Sequence, residues 1–184
     1  MRELALNILD IAENSLRAGA TLVEIDLAAD FSQDAFSISV RDNGKGMSKE
    51  MLASVCDPFT TTRTTRKVGM GLPLFKYSAE SAGGTFHITS EEGKGTAVTA
   101  AYRISHVDRM PLGDFGGVAL QLVTMNPGVD FCFTAKAGDR QGELDTREVR
   151  AILGEEIPLG APEVRAFLKD YIKENLTDIF GGRL

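Results

Sequence analysis

The spacing of apolar side chains predicts three helices and four strands in the first hundred residues. Helical spacing runs through residues 2–18 and again from Leu72 to Ala82, where Gly83-Gly84 ends the helix. A shorter helix near 48–55 follows Ser48, a residue type that caps helix N-termini. Four segments alternate with a period of two and are predicted strands: T-L-V-E-I-D-L-A, A-F-S-I-S-V-R-D, T-F-H-I-T-S and T-A-V-T-A-A-Y-R-I. The last two flank E-E-G-K-G and are expected to form a hairpin.

A second, shorter part follows a Pro/Gly-rich seam at residues 110–117. Beyond it the pattern predicts a helix to about residue 125, a strand V-D-F-C-F-T-A and two helices, of which the last opens at Pro162. We therefore predict a domain at residues 1–106 and a small C-terminal α/β unit at 107–184. Residues 57–70 have no apolar period and are predicted to form a loop.

Composition narrows the class of protein. The chain has 184 residues, 43% of them hydrophobic and 25% charged, and a formal net charge of −6. Such an acidic balance argues against a nucleic-acid-binding surface, since phosphate backbones need clustered cations. Asn7, Asp10 and Glu13 interrupt the N-terminal apolar pattern, which excludes a signal peptide, and no apolar run approaches the ~18 residues of a membrane span. We expect a cytoplasmic protein with reduced cysteines that binds neither nucleic acid nor membrane.

One face of the first predicted helix is polar. At 100° per residue, Asn7, Asp10, Asn14 and Arg17 fall within roughly 80° of one another. A carboxylate, an amide and a guanidinium are thereby stacked in one line. The alternative is a solvated face with an ordinary ion pair.

The second predicted strand continues its apolar face with a carboxylate. Phe36, Ile38, Val40 and Asp42 share that face, and charged groups are rarely buried without a partner. Two glycines in the following N-G-K-G let another group approach the backbone closely. A strand-end aspartate in a tight turn is the alternative interpretation.

A third feature, V-G-M-G-L-P at residues 68–73, joins a Thr/Arg-rich loop to a predicted helix start. Free N–H groups at a helix start suit phosphate. A dinucleotide fingerprint would need a glycine at Leu74 and a strand before Gly69, and the G-K-G-T run at 93–96 precedes a strand, unlike a P-loop.

The order of these motifs along the chain resembles that of the GHKL ATPase superfamily. The motifs are the helix asparagine, D-N-G-K-G, the polar loop, G-M-G-L and G-K-G-T. That superfamily includes histidine kinases, anti-sigma-factor kinases, MutL, type II topoisomerases and Hsp90-type chaperones. The resemblance covers about residues 4–104. It implies an α/β fold of the Bergerat type, a two-layer α/β sandwich in which helices cover one face of a mixed sheet, with the small C-terminal unit added.

The resemblance also implies how Mg²⁺ and ATP would be bound. Asn14 matches the asparagine that coordinates the Mg²⁺ bridging the phosphates, and Asp42 the aspartate that accepts a hydrogen bond from the adenine amino group. Further ATP-binding roles are implied for Gly44, Gly46 and Met47 after the strand, for Gly69, Met70, Gly71 and Leu72 at the end of the ATP lid, and for Thr96 near the adenine.

The string A-E-N-S-L-R-A-G-A resembles the MutL family, but that family has an acidic residue where Arg17 stands. Histidine kinases carry a basic residue at this position, directed at phosphate. The segments D-P-F-T-T-T-R and G-M-G-L-P-L-F-K also resemble histidine kinases. The sequence therefore leans to the kinase side, with a catalytic role for Arg17. Arg63, Arg66 and Lys67 are predicted to neutralise γ-phosphate charge, with a solvated basic loop as the alternative.

Relatives place a glutamate base four residues before the asparagine, where this chain has Asp10. Its side chain is shorter by about 1.5 Å, and a misplacement near 1 Å can cost on the order of 100-fold in rate. We predict that Asp10 acts as the catalytic base or orients water, and that ATP hydrolysis is slow.

The function predicted on these grounds is transfer of the γ-phosphoryl group of Mg·ATP to a partner protein in trans. His87 and His106 lie in or after strands and are not expected to accept phosphate. The alternatives are an ATP-gated clamp with slow hydrolysis and a non-catalytic nucleotide-sensing module. We do not expect the elements that precede this helix in the family, and we expect residues 107–184 or a second subunit, in a homodimer, to cover the edge or face that they would leave exposed.

Overall fold

The computed structural model describes residues 3–56, 71–154 and 157–184. The helices are α1 (Leu4–Arg17), α2 (Lys49–Ser54), α3 (Gly71–Ser81), α4 (Phe115–Met125), α5 (Thr146–Leu153) and α6 (Pro162–Ile172), the last continuing into a π-helical turn (Lys173–Thr177) and a 3₁₀ turn (Asp178–Phe180). The strands are β1 (Leu22–Asp30), β2 (Ala35–Asp42), β3 (Thr85–Glu91), β4 (Gly95–Arg103), β5 (Asp130–Ala137) and β6 (Arg140–Asp145). No helix within these ranges is long and apolar enough to cross a bilayer.

The described strands form a single mixed sheet in the order β3-β4-β2-β1-β5-β6. β1 and β5 run parallel, and the other neighbouring pairs run antiparallel. Val23 in β1 lies opposite Asp42 on one side and Phe131 on the other, and Asp42 in turn lies opposite Thr96. The end of β2 is therefore at the same end of the sheet as the start of β5.

One face of the sheet carries the core. Val23, Ile25 and Leu27 are buried, whereas the alternate residues of β1 are more exposed, as the period of a strand requires. α1 packs its apolar stripe against β2, and α3 packs against α1, β3 and β4. The expected α/β sandwich with a mixed sheet is confirmed.

α1 begins without a capping side chain. Its first free amides are instead bonded by the Pro/Gly-rich seam, because Leu4 N donates to Pro111 O at 2.9 Å and Ala5 N donates to Leu112 O at 2.8 Å. These bonds satisfy donors that a helix start leaves open. The seam thereby fixes the helix that carries Asp10 and Asn14.

The predicted helices and strands of the first part are found within a few residues of their expected bounds. β6 was not predicted, because Leu144 is its one large apolar residue and an edge strand shows little alternation. β5 pairs with β1, so residues 107–184 cover that edge from within the chain. The β1–β5 pairing crosses the domain boundary predicted after residue 106, and that boundary stays a prediction. The predicted loop at 57–70 lies outside the described residues.

Candidate functional site

The carboxylate of Asp42 is held at the end of β2 by two uncharged donors. Ser15 Oγ donates to Oδ2 at 2.7 Å, and the Gly44 backbone N–H donates to Oδ1 at 2.9 Å. Among the residues that the structure describes, no lysine or arginine forms an ion pair with Asp42. A carboxylate offers about four acceptor positions, so Asp42 retains capacity for a further donor.

Two glycines let the chain turn closely behind this carboxylate. A Cβ on Gly44 would lie 2.9 Å from Ala18 Cβ, and a Cβ on Gly46 would lie 2.0 Å from Glu91 O. Gly46 also has φ +64°, a conformation that L side chains rarely adopt. The sequence predicted that another group approaches the backbone closely at these glycines. In the structure, the groups that do so are the C-terminal end of α1 at Gly44 and the end of β3 at Gly46.

Asn43 ties the end of β2 to the turn that follows α1. Its Oδ1 accepts from Thr21 N at 2.9 Å and from Leu22 N at 3.0 Å, and its Nδ2 donates to Thr21 Oγ1 at 2.8 Å. Each of these bonds joins residues about 20 positions apart. The link fixes Asp42 relative to α1.

A second hydroxyl network supports the adjoining strands. Ser90 Oγ accepts from Met47 N at 2.9 Å, donates to Gly95 O at 2.9 Å and lies 2.9 Å from Thr96 Oγ1. Met47 and Thr96 are thus held by one side chain beside the end of β2. Ser90 was not predicted as a site residue, although its position in T-F-H-I-T-S places it on the same strand face as Phe86 and Ile88.

On the other side of the site, α1 meets the first turn of α3. A Cβ on Gly71 would lie 3.2 Å from Asp10 Cβ and 3.7 Å from Asn14 Nδ2. The start of this 11-residue helix therefore lies beside the Asp10 and Asn14 side chains of α1. Free N–H groups and the helix dipole make such a start favourable for an anion.

Arg17 is bound within α1 and not aimed away from it. Its Nη1 donates to Asn14 Oδ1 at 2.7 Å, and its Nη2 pairs with Glu13. Both charged side chains are about half exposed, so an ion pair of this kind contributes little stability and is readily exchanged.

Asn14 and Asp10 fit the donor set of a magnesium ion. Mg²⁺ prefers oxygen ligands and is commonly held by one or two side chains together with phosphates and water. The amide oxygen of Asn14 and the carboxylate one turn earlier offer such oxygens, provided that Arg17 releases Asn14 Oδ1. The magnesium role of Asn14 stays a prediction.

Ser15 is a site residue that the sequence did not reveal. It is buried, and its hydroxyl bridges α1 to Asp42. Its neighbour Asn14 is the residue that a motif identifies, while Ser15 lies one turn after Ile11 on the apolar side of the helix. The signal that could have found it is a hydroxyl at a core position of an otherwise apolar stripe.

Asn7, predicted on the same polar face of α1, differs from the others. It is fully buried, and neither amide atom has a hydrogen-bond partner among the described residues. The accessible polar stripe therefore begins at Asp10. An unpaired buried amide of this kind costs about 1–3 kcal/mol.

The structure thus brings most of the predicted residues to one end of the sheet. Asp10, Asn14 and Gly71 meet on the α1 side, and Ser15 connects them to Asp42. Leu72 is half-buried and packs against the core. The remaining predicted residues, Arg63, Arg66, Lys67, Gly69 and Met70, lie outside the described residues, so their roles stay predictions.

Residues 1–106 form an ATP-binding domain of the α/β-sandwich type. The family model described as "Histidine kinase-, DNA gyrase B-, and HSP90-like ATPase" matches residues 1–106. The chain belongs to that family, and its domain is of the histidine-kinase-like kind.

Among curated proteins, the chain is 31% identical to the Non-motile and phage-resistance protein of Caulobacter vibrioides, over 62% of this chain and 14% of that protein. It is 30% identical to Sensor histidine kinase ZraS of Escherichia coli, over 58% of this chain and 23% of that protein. It is 34% identical to Sporulation kinase D of Bacillus subtilis, over 53% of this chain and 19% of that protein. The chain thus matches less than a quarter of the length of each of these relatives.

Among solved structures, the N-terminal domain of a DNA repair protein aligns with a TM-score of 0.55. The alignment covers 84% of this chain and 58% of that domain at 15% identity. At this identity the likeness concerns the fold alone. It extends beyond residues 1–106, since it covers more of the chain than the family model does.

Proposed function

We propose that this chain binds Mg·ATP and transfers its γ-phosphoryl group to a partner protein in trans. The observation that carries the proposal is the arrangement of Asp42: a strand-end carboxylate held by two neutral donors, linked through Ser15 to the helix of Asp10 and Asn14. The matches to histidine kinases support the kinase side of the family over the MutL side.

The adenine is recognised at Asp42. The exocyclic amino group of adenine is a donor, and the carboxylate has acceptor positions left after Ser15 and Gly44 are bonded. A guanine presents a carbonyl acceptor at the equivalent ring position, which would face the carboxylate without a proton between them. Asp42 therefore selects adenine.

The triphosphate lies toward α1 and the start of α3. Asn14 would hold the magnesium ion, which neutralises phosphate charge when bound. Arg17 leaves Asn14 Oδ1 and turns to the phosphates, since its ion pair with Glu13 is half exposed. The first N–H groups of α3, next to Gly71, add further donors.

In the transfer, a nucleophilic side chain of the partner attacks the γ-phosphorus in line with the bond to the β–γ bridging oxygen. The new bond forms as that P–O bond breaks, and ADP leaves with the electron pair. Asp10 accepts the proton of the nucleophile. Because Asp10 is shorter than a glutamate, transfer to water is slow and a positioned partner is the preferred acceptor.

Nucleotide binding is tested first, by calorimetry with and without Mg²⁺. Asp42→Asn is expected to remove the preference for ATP over GTP, and Asn14→Ala to remove the dependence on Mg²⁺. Asp145→Asn and Asn126→Ala are matched controls, since neither residue is in the site. If Asp42→Asn and Asn14→Ala bind nucleotide as the unaltered protein does, the site assignment is wrong.

Transfer is tested with γ-³²P-labelled ATP and the proteins that co-purify with this chain. Label on a co-purified protein, lost with both site variants and kept with both controls, supports the proposal. Dimerisation that depends on ATP without any transfer would contradict it in favour of a clamp. Binding with neither transfer nor dimerisation would contradict it in favour of a nucleotide sensor.

A further inference from the structure

A groove lined by none of the predicted nucleotide-site residues lies between α5, α6 and the end of β6. It has a volume of about 460 Å³ and is lined on its inner side by Leu144, Val149, Leu153 and Val164. Leu144 and Val164 are buried, and Val149 and Leu153 pack against the core. The floor of the groove is therefore an extension of the hydrophobic core to the surface.

The walls of the groove are large apolar side chains that water reaches. Ile152 on α5 is 84% exposed and Phe167 on α6 is 57% exposed, and both line the groove. A closed pocket would bury most of a small ligand, whereas these walls leave the groove open along its length. Two exposed anchors on neighbouring helices indicate a surface for another polypeptide.

The rim of the groove is acidic. Glu143, Glu148 and Glu163 line it, together with Asp145, which is paired with Arg147. None of the described residues that line it is a lysine or an arginine. The Glu143 carboxylate turns to Cys132 on the face of β6 opposite Leu144. Glu148 and Glu163 therefore supply the negative charge beside the apolar floor, and among the described residues neither forms an ion pair with a lysine or arginine.

The basic residues of α6 do not reach this rim. Arg165 lies about 200° around the helix from Phe167, and Lys169 lies about 200° from it in the other direction, at 100° per residue. The side of α6 that faces the groove is thus apolar and acidic. A cationic occupant is favoured there, and an anionic one is repelled.

The groove is also closed to an added β-strand. Tyr171 Oη donates to Glu143 O at 3.0 Å, and Arg140 Nη2 donates to Asp178 O at 2.8 Å. Gly142 lies so close to the π-helical turn that a Cβ there would meet Asn175 O at 1.9 Å. With the outer edge of β6 covered in this way, the occupant packs through side chains.

We propose that this groove docks a basic amphipathic helix of a partner protein. Its apolar residues, spaced at i, i+4 and i+7, would pack between Ile152 and Phe167, and its Lys or Arg residues would face Glu148 and Glu163. A second copy of the chain is disfavoured, since its net charge is −6. Anionic membranes and nucleic acids are disfavoured for the same reason.

The groove lies at the same end of the sheet as Asp42. Asp42 is opposite Val23, Val23 is opposite Phe131, and Phe131 N donates to Thr146 Oγ1 in the first residue of α5 at 2.8 Å. Three strand spacings of ~4.8 Å give a lateral offset of roughly 14 Å. A helix docked here would lie beside the nucleotide site, although the docking proposal does not depend on phosphotransfer.

The test uses the whole protein without nucleotide and a phage-displayed library of 16-residue peptides. A double variant, Ile152→Glu with Phe167→Glu, serves as the counter-selection target, because both side chains are exposed and the fold should tolerate the change. Circular dichroism and a thermal melt check that it folds. The enriched peptides are expected to combine apolar residues at helical spacing with Lys or Arg.

The enriched peptide is then synthesised with a fluorophore, and its binding is measured by anisotropy. Phe167→Ala is expected to weaken binding at least tenfold, as is Glu148→Lys with Glu163→Lys, and added salt should weaken it further. Val107→Ala and Met125→Ala, which alter exposed apolar residues elsewhere, should leave it unchanged.

Three outcomes would overturn the proposal. The first is no peptide enriched over the double variant. The second is enriched peptides that are acidic or uncharged, or that bind Phe167→Ala equally well. The third is a concentration-dependent dimer in sedimentation velocity that Ile152→Glu dissociates, which would assign the groove to a second copy of the chain.

Discussion

Asp42 is the last residue of β2 and Asp145 the last residue of β6, at the same end of the sheet, and both carboxylates accept the same kind of local hydrogen bond. Each accepts a hydrogen bond from the backbone N–H two residues later, Gly44 at 2.9 Å and Arg147 at 2.8 Å. The difference is the side chain at that second residue. Gly44 has no side chain to bond the Asp42 carboxylate, whereas the Arg147 guanidinium bonds Asp145 through Nε at 2.9 Å and pairs with it through Nη2.

The consequence is visible in the two carboxylates. Hydrogen bonding from Arg147 lowers the pKa of Asp145 below its usual range, and the Asp145 side chain is 9% exposed. The Asp145 carboxylate caps the N-terminus of α5, and its oxygens are already bonded by Arg147. Asp42 has the same turn without the cation, so its remaining acceptor positions stay available to a ligand. This difference supports the proposal that Asp42, whose turn supplies only neutral donors, binds a ligand and that Asp145 does not.

The largest expected effect concerns the backbone at Asp42. Gly95 has φ +104°, and a Cβ there would lie 1.9 Å from Asp42 O. Gly95→Ala combines backbone strain with overpacking, each costing roughly 1–3 kcal/mol, so we expect a loss of about 4 kcal/mol in the free energy of unfolding. Urea denaturation measures it.

Gly93→Ala in the same turn is the matched control. Gly93 has φ +77° but no atom within 4 Å of an added Cβ. It should therefore lose about 1 kcal/mol from backbone strain alone. Equal losses in the two variants would show that the contact with Asp42 O does not matter.

The next largest effect is expected when each carboxylate is replaced by an amide. Asp42→Asn places an amide donor where the adenine amino group needs an acceptor, which should cost about 3 kcal/mol, or roughly 100-fold in the Kd for ATP. The Gly44 N–H can still donate to the amide oxygen, and Ser15 Oγ can accept from the amide nitrogen, so the fold should persist. Asp145→Asn should leave the Kd unchanged, and an equal effect of the two variants in calorimetry would remove the distinction between them.

A smaller effect is expected at Ser15, which positions Asp42. Ser15→Ala removes one hydrogen bond to the carboxylate, worth about 1 kcal/mol, and should weaken ATP binding about fivefold. Ser78→Ala is the control, because Ser78 is a buried helix serine whose hydroxyl lies 3.0 Å from Tyr102 Oη. It should lower stability without changing the Kd. If Ser15→Ala binds ATP normally and Ser78→Ala does not, Ser15 has no positioning role.

The smallest effect is the pH dependence at Asp145. Its folded pKa is lowered by Arg147, so its contribution to stability is present above the unfolded pKa of about 3.9 and is lost as pH falls further. Arg147→Ala should therefore lower the free energy of unfolding by less than about 1 kcal/mol at pH 7. Urea denaturation at pH 7, 5 and 3 measures the difference, which should shrink at pH 3; a constant difference would mean that Arg147 acts through packing.

The two cysteines illustrate where the local sequence pattern is insufficient. Cys56 and Cys132 were expected to be unpaired, and both are free. Burial raises the pKa of the Cys132 thiol to about 12, helped by the nearby Glu143 carboxylate. That carboxylate comes from β6, a strand that the sequence pattern did not predict, because an edge strand with one large apolar residue has almost no hydrophobic period.

The site was predictable to the extent that its residues follow local rules. A period of two placed Asp42 on an apolar strand face, and a helical period placed Asp10 and Asn14 on one side of α1. The bond from Ser15 to Asp42 spans 27 positions in the chain, and the Ser90 network joins three segments. Such partners depend on how the helices dock, which no short window of residues contains.

The sequence alone determined the helices and strands other than β6, the motifs that match the family, and the family itself, because hydrogen bonding and side-chain alternation within an element are set by near neighbours. Tertiary structure decided that β5 joins β1, that Ser15 and Gly44 orient Asp42, that Arg17 rests on Asn14, and that α5 and α6 enclose an acidic groove. The physical reason is that pairing and packing bring together residues far apart in the chain, and burial then fixes which polar groups remain free to bind.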